Sequence, residues 1–134
     1  DIPANESAYI VEKINSGEII YEPSACVLKS GAANMIANRY LLKKIHNNSH
    51  LYVSDDLQKD FPGRILHICR VEDFHSRNIK SLGKEYPKLN ITTRNFPITA
   101  QELSNKMKCK DGGNDYLFAT TMEPNQPVLI FCKR

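Results

Sequence analysis

The chain has 134 residues, 41% of them hydrophobic, which supports one domain or two small packed lobes around a real core and excludes a disordered segment. Its formal net charge of +3 is unevenly spread: residues 1–62 carry 6 Lys+Arg against 8 Asp+Glu, a net −2, and residues 63–134 carry 12 against 7, a net +5. No apolar run approaches the roughly 20 residues that span a bilayer and nothing is laid out like a signal peptide, so no membrane contact and a cytoplasmic location are expected.

Residues 1–20 read as a lead-in with a short helix or strand around "YIVEKI" and "EII". In "YEPSACVLKSGAANMIANRYLLKKI", Pro23 fits a first helical turn, where its missing N–H is not needed. Ala25, Leu28, Ala32, Met35 and Ile36 then recur at helical spacing, predicting one main helix near 23–40. Gly31 in its middle costs about 1 kcal/mol relative to alanine, which points to a close approach by another backbone. "HNNSHLYVSDD" is a polar turn followed by a short strand at Leu51 to Val53, and "FPGR" turns the chain into "RILHICRVEDF", a largely buried strand.

"HSRNIKSLGKEYPKL" sets Ile79, Leu82 and Tyr86 on one helical stripe that stops at Pro87, and "NITTRNF" is a strand rich in β-branched residues. "TAQE" at Thr99 to Glu102 is a capping box that starts a helix with Ala100, Leu103 and Met107 inward. Lys106, Lys108 and Lys110 crowd its last turn, and "DGG" is expected to stop it, since glycine adopts the left-handed conformation without steric cost. "DYLFATTM", a turn at "EPNQ" and "PVLIFCKR" form a closing hairpin. The order from Arg64 is β-α-β-α-β-β. It predicts an α/β (α+β) fold whose mixed sheet has parallel pairs wherever a helix joins two strands, with helices on one or both faces.

Catalytic and metal chemistry find little support. "KDGG" follows a helix rather than opening one and lacks the spacing of a nucleotide loop. His46 and His50 are separated by a turn, and no Cys is paired at zinc spacing. Cys69 and Cys132, inside apolar runs, are expected to be buried, reduced thiols. Binding is the better prospect. Arg64 at a strand entrance, Arg94 near a strand end and Lys106, Lys108 and Lys110 are candidates for phosphate contacts, with Phe96 or Tyr116 as a stacking surface. Structural uses compete with this: lysines in a last turn stabilise the helix dipole by about 0.3–1 kcal/mol each, and the arginines can pair with carboxylates.

Six stretches in order, "IIYEPSACVLKSG", "NSHLYVSDD", "DFPGR", "TTRNFPITAQEL", "KMKCKDGGNDYLFATT" and "VLIFCKR", resemble the C-terminal region of a bacterial family of class I S-adenosylmethionine-dependent methyltransferases. Ser24, Cys26 and Ser30 stand where relatives more often carry Asn, Ser and Ala. The resemblance implies a ferredoxin-like lobe over 1–62 and a THUMP-like domain over 63–134, a type of domain associated with RNA recognition. It implies no catalytic residue and no cofactor in this chain, which begins at Asp1 and is expected to be part of a longer protein. S-adenosylmethionine would bind an upstream methyltransferase domain, and transfer or ribosomal RNA would be the partner. The alternative is a docking or dimerisation module that contacts the upstream domain without RNA, marked by an uncovered apolar patch around Tyr9 to Ile20.

Overall fold

The computed structural model describes residues 7–134; the start of the expected lead-in, residues 1–6, lies outside them. In chain order the elements are β1 (Ile19–Pro23), α1 (Ala25–Ser30), α2 (Ala33–Arg39), β2 (Lys43–Lys44), β3 (Tyr52–Ser54), β4 (Gly63–Asp73), α3 (Ile79–Glu85), β5 (Lys88–Thr93), α4 (Ala100–Met107), β6 (Lys110–Met122) and β7 (Gln126–Lys133). All seven strands join one mixed sheet in the order β2-β3-β1-β4-β7-β6-β5. β5 and β6 pair in parallel, as a crossover through α4 requires, and the other neighbouring strands pair antiparallel. Parallel pairing was also expected for β4 and β5, which α3 joins. They run in the same direction, but the β6–β7 hairpin is inserted between them. A hairpin can fill any open slot beside a strand, and sequence order does not say which.

The register sorts the side chains. Ile19, Tyr21, Leu117, Ala119, Leu129 and Phe131 point to one face, where all four helices pack. Val27, Ala33 and Ala37 of α1 and α2 meet the β1 end of that face. Ile79, Leu82, Leu103 and Met107 of α3 and α4 meet the β6–β7 end. The opposite face carries Ile20, Leu66, Ile68, Phe118, Val128, Ile130 and Cys132, covered by Val11, Ile14, Ile45 and Leu51 from the lead-in and the β2–β3 connection. That face is concave. Ser49, between β2 and β3, donates to the Thr121 carbonyl at 3.2 Å, so the sheet curls until its first strands meet β6.

The expected helix over 23–40 is two helices. Pro23 ends β1, Ser24 caps α1 by accepting from the Val27 amide at 3.3 Å, and Gly31 ends α1 with φ 74°. Glycine therefore acts here as a left-handed stop. The buried face also differs from the expected one: Val27, Ala33 and Ala37 are buried, Leu28, Ala32, Met35 and Ile36 are half-buried and Ala25 is exposed, because each short helix meets the core at its own angle. Close backbone approaches occur at other glycines: a Cβ on Gly83 would lie 1.8 Å from the Met107 carbonyl oxygen, and one on Gly63 would lie 2.0 Å from that of Glu22.

At α4 the capping box is present, with Thr99 Oγ1 accepting from the Glu102 amide at 3.1 Å and Glu102 Oε1 from the Thr99 amide at 3.2 Å. The stop differs. Lys108 takes the left-handed conformation, φ 57°, and β6 begins at Lys110. Gly112 and Gly113 lie inside β6, where the register jumps from Leu89↔Asp111 to Asn90↔Tyr116, and Asn90 Nδ2 donates to the Gly113 and Asp115 carbonyls across the bulge. β4 is half buried rather than largely buried. It has its own irregularity between Ile68 and Arg70, which leaves Cys69 exposed, whereas Cys132 is buried.

Because Gly83 admits the Met107 carbonyl, Gly83→Ala is expected to separate α3 from α4 and destabilise the chain by about 2–4 kcal/mol. Urea denaturation measures this. An unchanged midpoint would mean the two helices part at no cost.

Candidate nucleic-acid interface

The two arginines singled out in the sequence meet at one carboxylate. Glu22 and Arg64 are cross-strand partners on β1 and β4, both on the concave face, and Arg64 Nε donates to Glu22 Oε1 at 2.7 Å. Arg94, just beyond β5, donates from Nη2 to the other carboxylate oxygen at 2.6 Å. The Arg94 backbone is held there by its amide on the Ala119 carbonyl at 3.0 Å and by Thr120 Oγ1 donating to its carbonyl at 2.7 Å. The Glu22 side chain is only 9% exposed, and those of Arg64 and Arg94 are 43% and 39% exposed. Arg64 also donates to Thr92 Oγ1 at 3.1 Å and lies over the Phe118 ring. One buried anion with two half-exposed cations leaves a single net positive charge, and both guanidiniums give their shortest hydrogen bonds to Glu22. This ties β1 to both β4 and the end of β5.

The lysines stand elsewhere. Lys106 is in the last turn of α4, Lys108 caps it and Lys110 opens β6. The structure therefore does not gather the arginines and lysines into one patch. Two depressions flank the end of α4 and share Lys108. One, about 420 Å³, is lined by Phe74, Ile79, Lys80, Asn105 and Lys106. The other, about 480 Å³, is lined by Pro87, Lys88, Lys110, Gly113 and Asp115. Lys80, Lys88, Lys106, Lys108 and Lys110 are all exposed, and among the described residues none makes an ion pair. Two nearby acids are already engaged: Glu85 receives Arg70 at 3.0 Å, and Asp115 faces Lys133 at 3.7 Å.

Lys80 and Lys88 were not singled out in the sequence. The net +5 of residues 63–134 was the available signal, but it does not say which lysines share a surface. Phe96 is half-buried, its ring 4.8 Å from that of Phe74 and tilted by 59°. It supports Phe74, and Phe74 lines the depression. Tyr116 lies on the opposite face beneath the Arg134 guanidinium.

Burial pushes the Cys132 thiol up to about 12, which keeps it protonated and a poor nucleophile. Burial also lowers the pKa of Lys44, whose Nζ donates to the Asn47 carbonyl at 2.8 Å. Among the described residues no group of three or more His, Cys, Asp or Glu could hold a metal ion, and no helix is long and apolar enough to cross a membrane.

Removing the Glu22 charge while keeping its shape tests the link between the arginines. Glu22→Gln is expected to cost about 1–3 kcal/mol, the range for a charge-assisted hydrogen bond left with a poorer partner. A double-mutant cycle with Arg94→Gln should show coupling of at least about 0.5 kcal/mol. Additive effects would mean that the carboxylate does not hold the end of β5.

Residues 20–62 match a ferredoxin-like domain family, and residues 63–134 match a THUMP domain-like family. Among solved structures the chain is similar to the crystal structure of a "putative methyltransferase" from Porphyromonas gingivalis W83, at 36% sequence identity over 93% of this chain, with a TM-score of 0.86. The chain spans 31% of the length of that protein. No curated protein matches. On the match over residues 63–134, more than half its length, the chain belongs to the THUMP domain-like family.

Proposed function

We propose that this chain is the RNA-recognition part of an S-adenosylmethionine-dependent RNA methyltransferase. In this reading it places transfer or ribosomal RNA for base methylation, while the cofactor and catalytic residues belong to a methyltransferase domain upstream. The observation that carries the reading is the group of five exposed lysines without ion pairs around the end of α4. Ammonium groups left unpaired on one surface are available to phosphates, and binding there would release counterions. Membership of the THUMP domain-like family and similarity to a protein described as a methyltransferase support it.

The docking alternative draws less support from the stretch on which it was expected to rest. Of the apolar residues between Tyr9 and Ile20, Val11, Ile14, Ile19 and Ile20 are buried in the chain's own core, and Tyr9 stays 78% exposed.

Two sets of variants test the proposal by fluorescence anisotropy with transfer RNA across a salt series. Changing Lys106, Lys108 and Lys110 together to glutamate should weaken binding at least tenfold and flatten the plot of log affinity against log salt by about 2 units. Unchanged affinity would return these lysines to a purely solvated role. Lys108→Gly separates the two uses of that residue. It should raise stability by about 1 kcal/mol, by relieving the left-handed strain of a residue with a Cβ, while still weakening RNA binding.

A further inference from the structure

We infer that the depression between α3 and α4 seats the base of one unstacked nucleotide of single-stranded RNA, an inference that rests on the RNA reading above. Its volume of about 420 Å³ falls within the range of small-ligand pockets. Its wall is mixed in the way a nucleotide is mixed. Phe74 and buried Ile79 supply apolar surface, and Phe96 backs Phe74 at 4.8 Å. Lys80, Lys106 and Lys108 stand at the rim, all exposed and without ion pairs, and no carboxylate lines the depression.

A free inorganic anion would make no use of the apolar wall. An apolar peptide would leave three ammonium groups facing it without counter-charge. A nucleotide satisfies both, with the base against Phe74 and the phosphates among the lysines. Asn105 adds recognition of a base edge: its side-chain oxygen accepts from Gln101 Nε2 at 3.0 Å, which leaves its amide N–H groups free to donate outward. Lys108 also borders the depression that holds Lys88 and Lys110, so a strand leaving the first site meets further cations along its backbone. The bases of a duplex are stacked and paired, so the seat selects single-stranded segments, loops or ends.

The test compares a short single-stranded RNA with an abasic strand of the same length and charge, binding each to the chain across a salt series. Wild type should bind the RNA roughly tenfold more tightly than the abasic strand, the ratio for one base stacked on an aromatic ring. Phe74→Ala should bring that ratio close to one without altering the salt slope. Ser76→Leu, which fills the depression from an exposed position and removes nothing from the core, should do the same even if loss of Phe74 unsettles the fold. Equal, salt-sensitive binding of both strands by wild type would overturn the seat and leave the RNA reading standing. A tenfold ratio that survives in both variants would place the stacked base elsewhere and overturn the seat as well. Binding of neither strand would overturn the RNA reading together with the seat.

Discussion

The carboxylate of Glu22 is the constraint on which the arrangement depends. A side chain only 9% exposed cannot keep its charge without partners, and its partners come from β4 and from the residue that follows β5. β1 and β5 are separated in the sheet by β4, β7 and β6, so the ion pair with Arg94 reaches across the concave face rather than along it. The curl that brings Ser49 to Thr121 at another point of the rim is the same curl. It also explains how one face of the sheet can be buried without a helix over it. The strands bend far enough for the lead-in and the β2–β3 connection to fill the hollow.

With Arg64 and Arg94 engaged by Glu22, much of the positive charge open to a partner is left to the lysines around the end of α4. The charge excess of residues 63–134 thus has two uses. Arginine, whose planar fork can serve a carboxylate and a second acceptor at once, as Arg64 does with Glu22 and Thr92, serves the buried junction; lysine, a strongly hydrated point charge, occupies the open surface. The residues matched as ferredoxin-like and those matched as THUMP domain-like share one sheet through four of the register pairs between β1 and β4, Ile20↔Leu66 to Pro23↔Gly63. The lysine surface is therefore carried on a frame to which both stretches contribute.

Local chemistry was readable in the sequence wherever a few neighbouring residues settle the outcome. The Thr99 to Glu102 capping box, the β6–β7 hairpin and the stripe of Ile79 and Leu82 belong to that class. Where a distant part of the chain decides, the sequence misleads. Gly31 and Gly83 look alike as glycines within helical patterns, yet one ends a helix and the other admits the backbone of α4; only the fold distinguishes them. Lys108 takes the left-handed position that Gly112 and Gly113 were expected to fill, because β5 already holds those glycines in a bulge. Likewise, nothing near Arg94 in sequence announces a partner 72 residues away.

The position of β7 has a consequence for how the chain acquires its structure. It follows the other six described strands in chain order, yet it lies in the middle of the sheet, between β4 and β6. Until residues 126–133 leave the ribosome, β4 and β6 each present an open edge, and the two cores on either side of β7 lack Leu129, Phe131, Val128, Ile130 and Cys132. The sheet cannot be completed progressively from its N-terminal end; it closes in one late step that joins strands far apart in sequence. Such non-local closure is slow, and the unpaired edges that precede it invite pairing with other chains. A chain cut before residue 126 would hold two half-sheets rather than a slightly shortened protein.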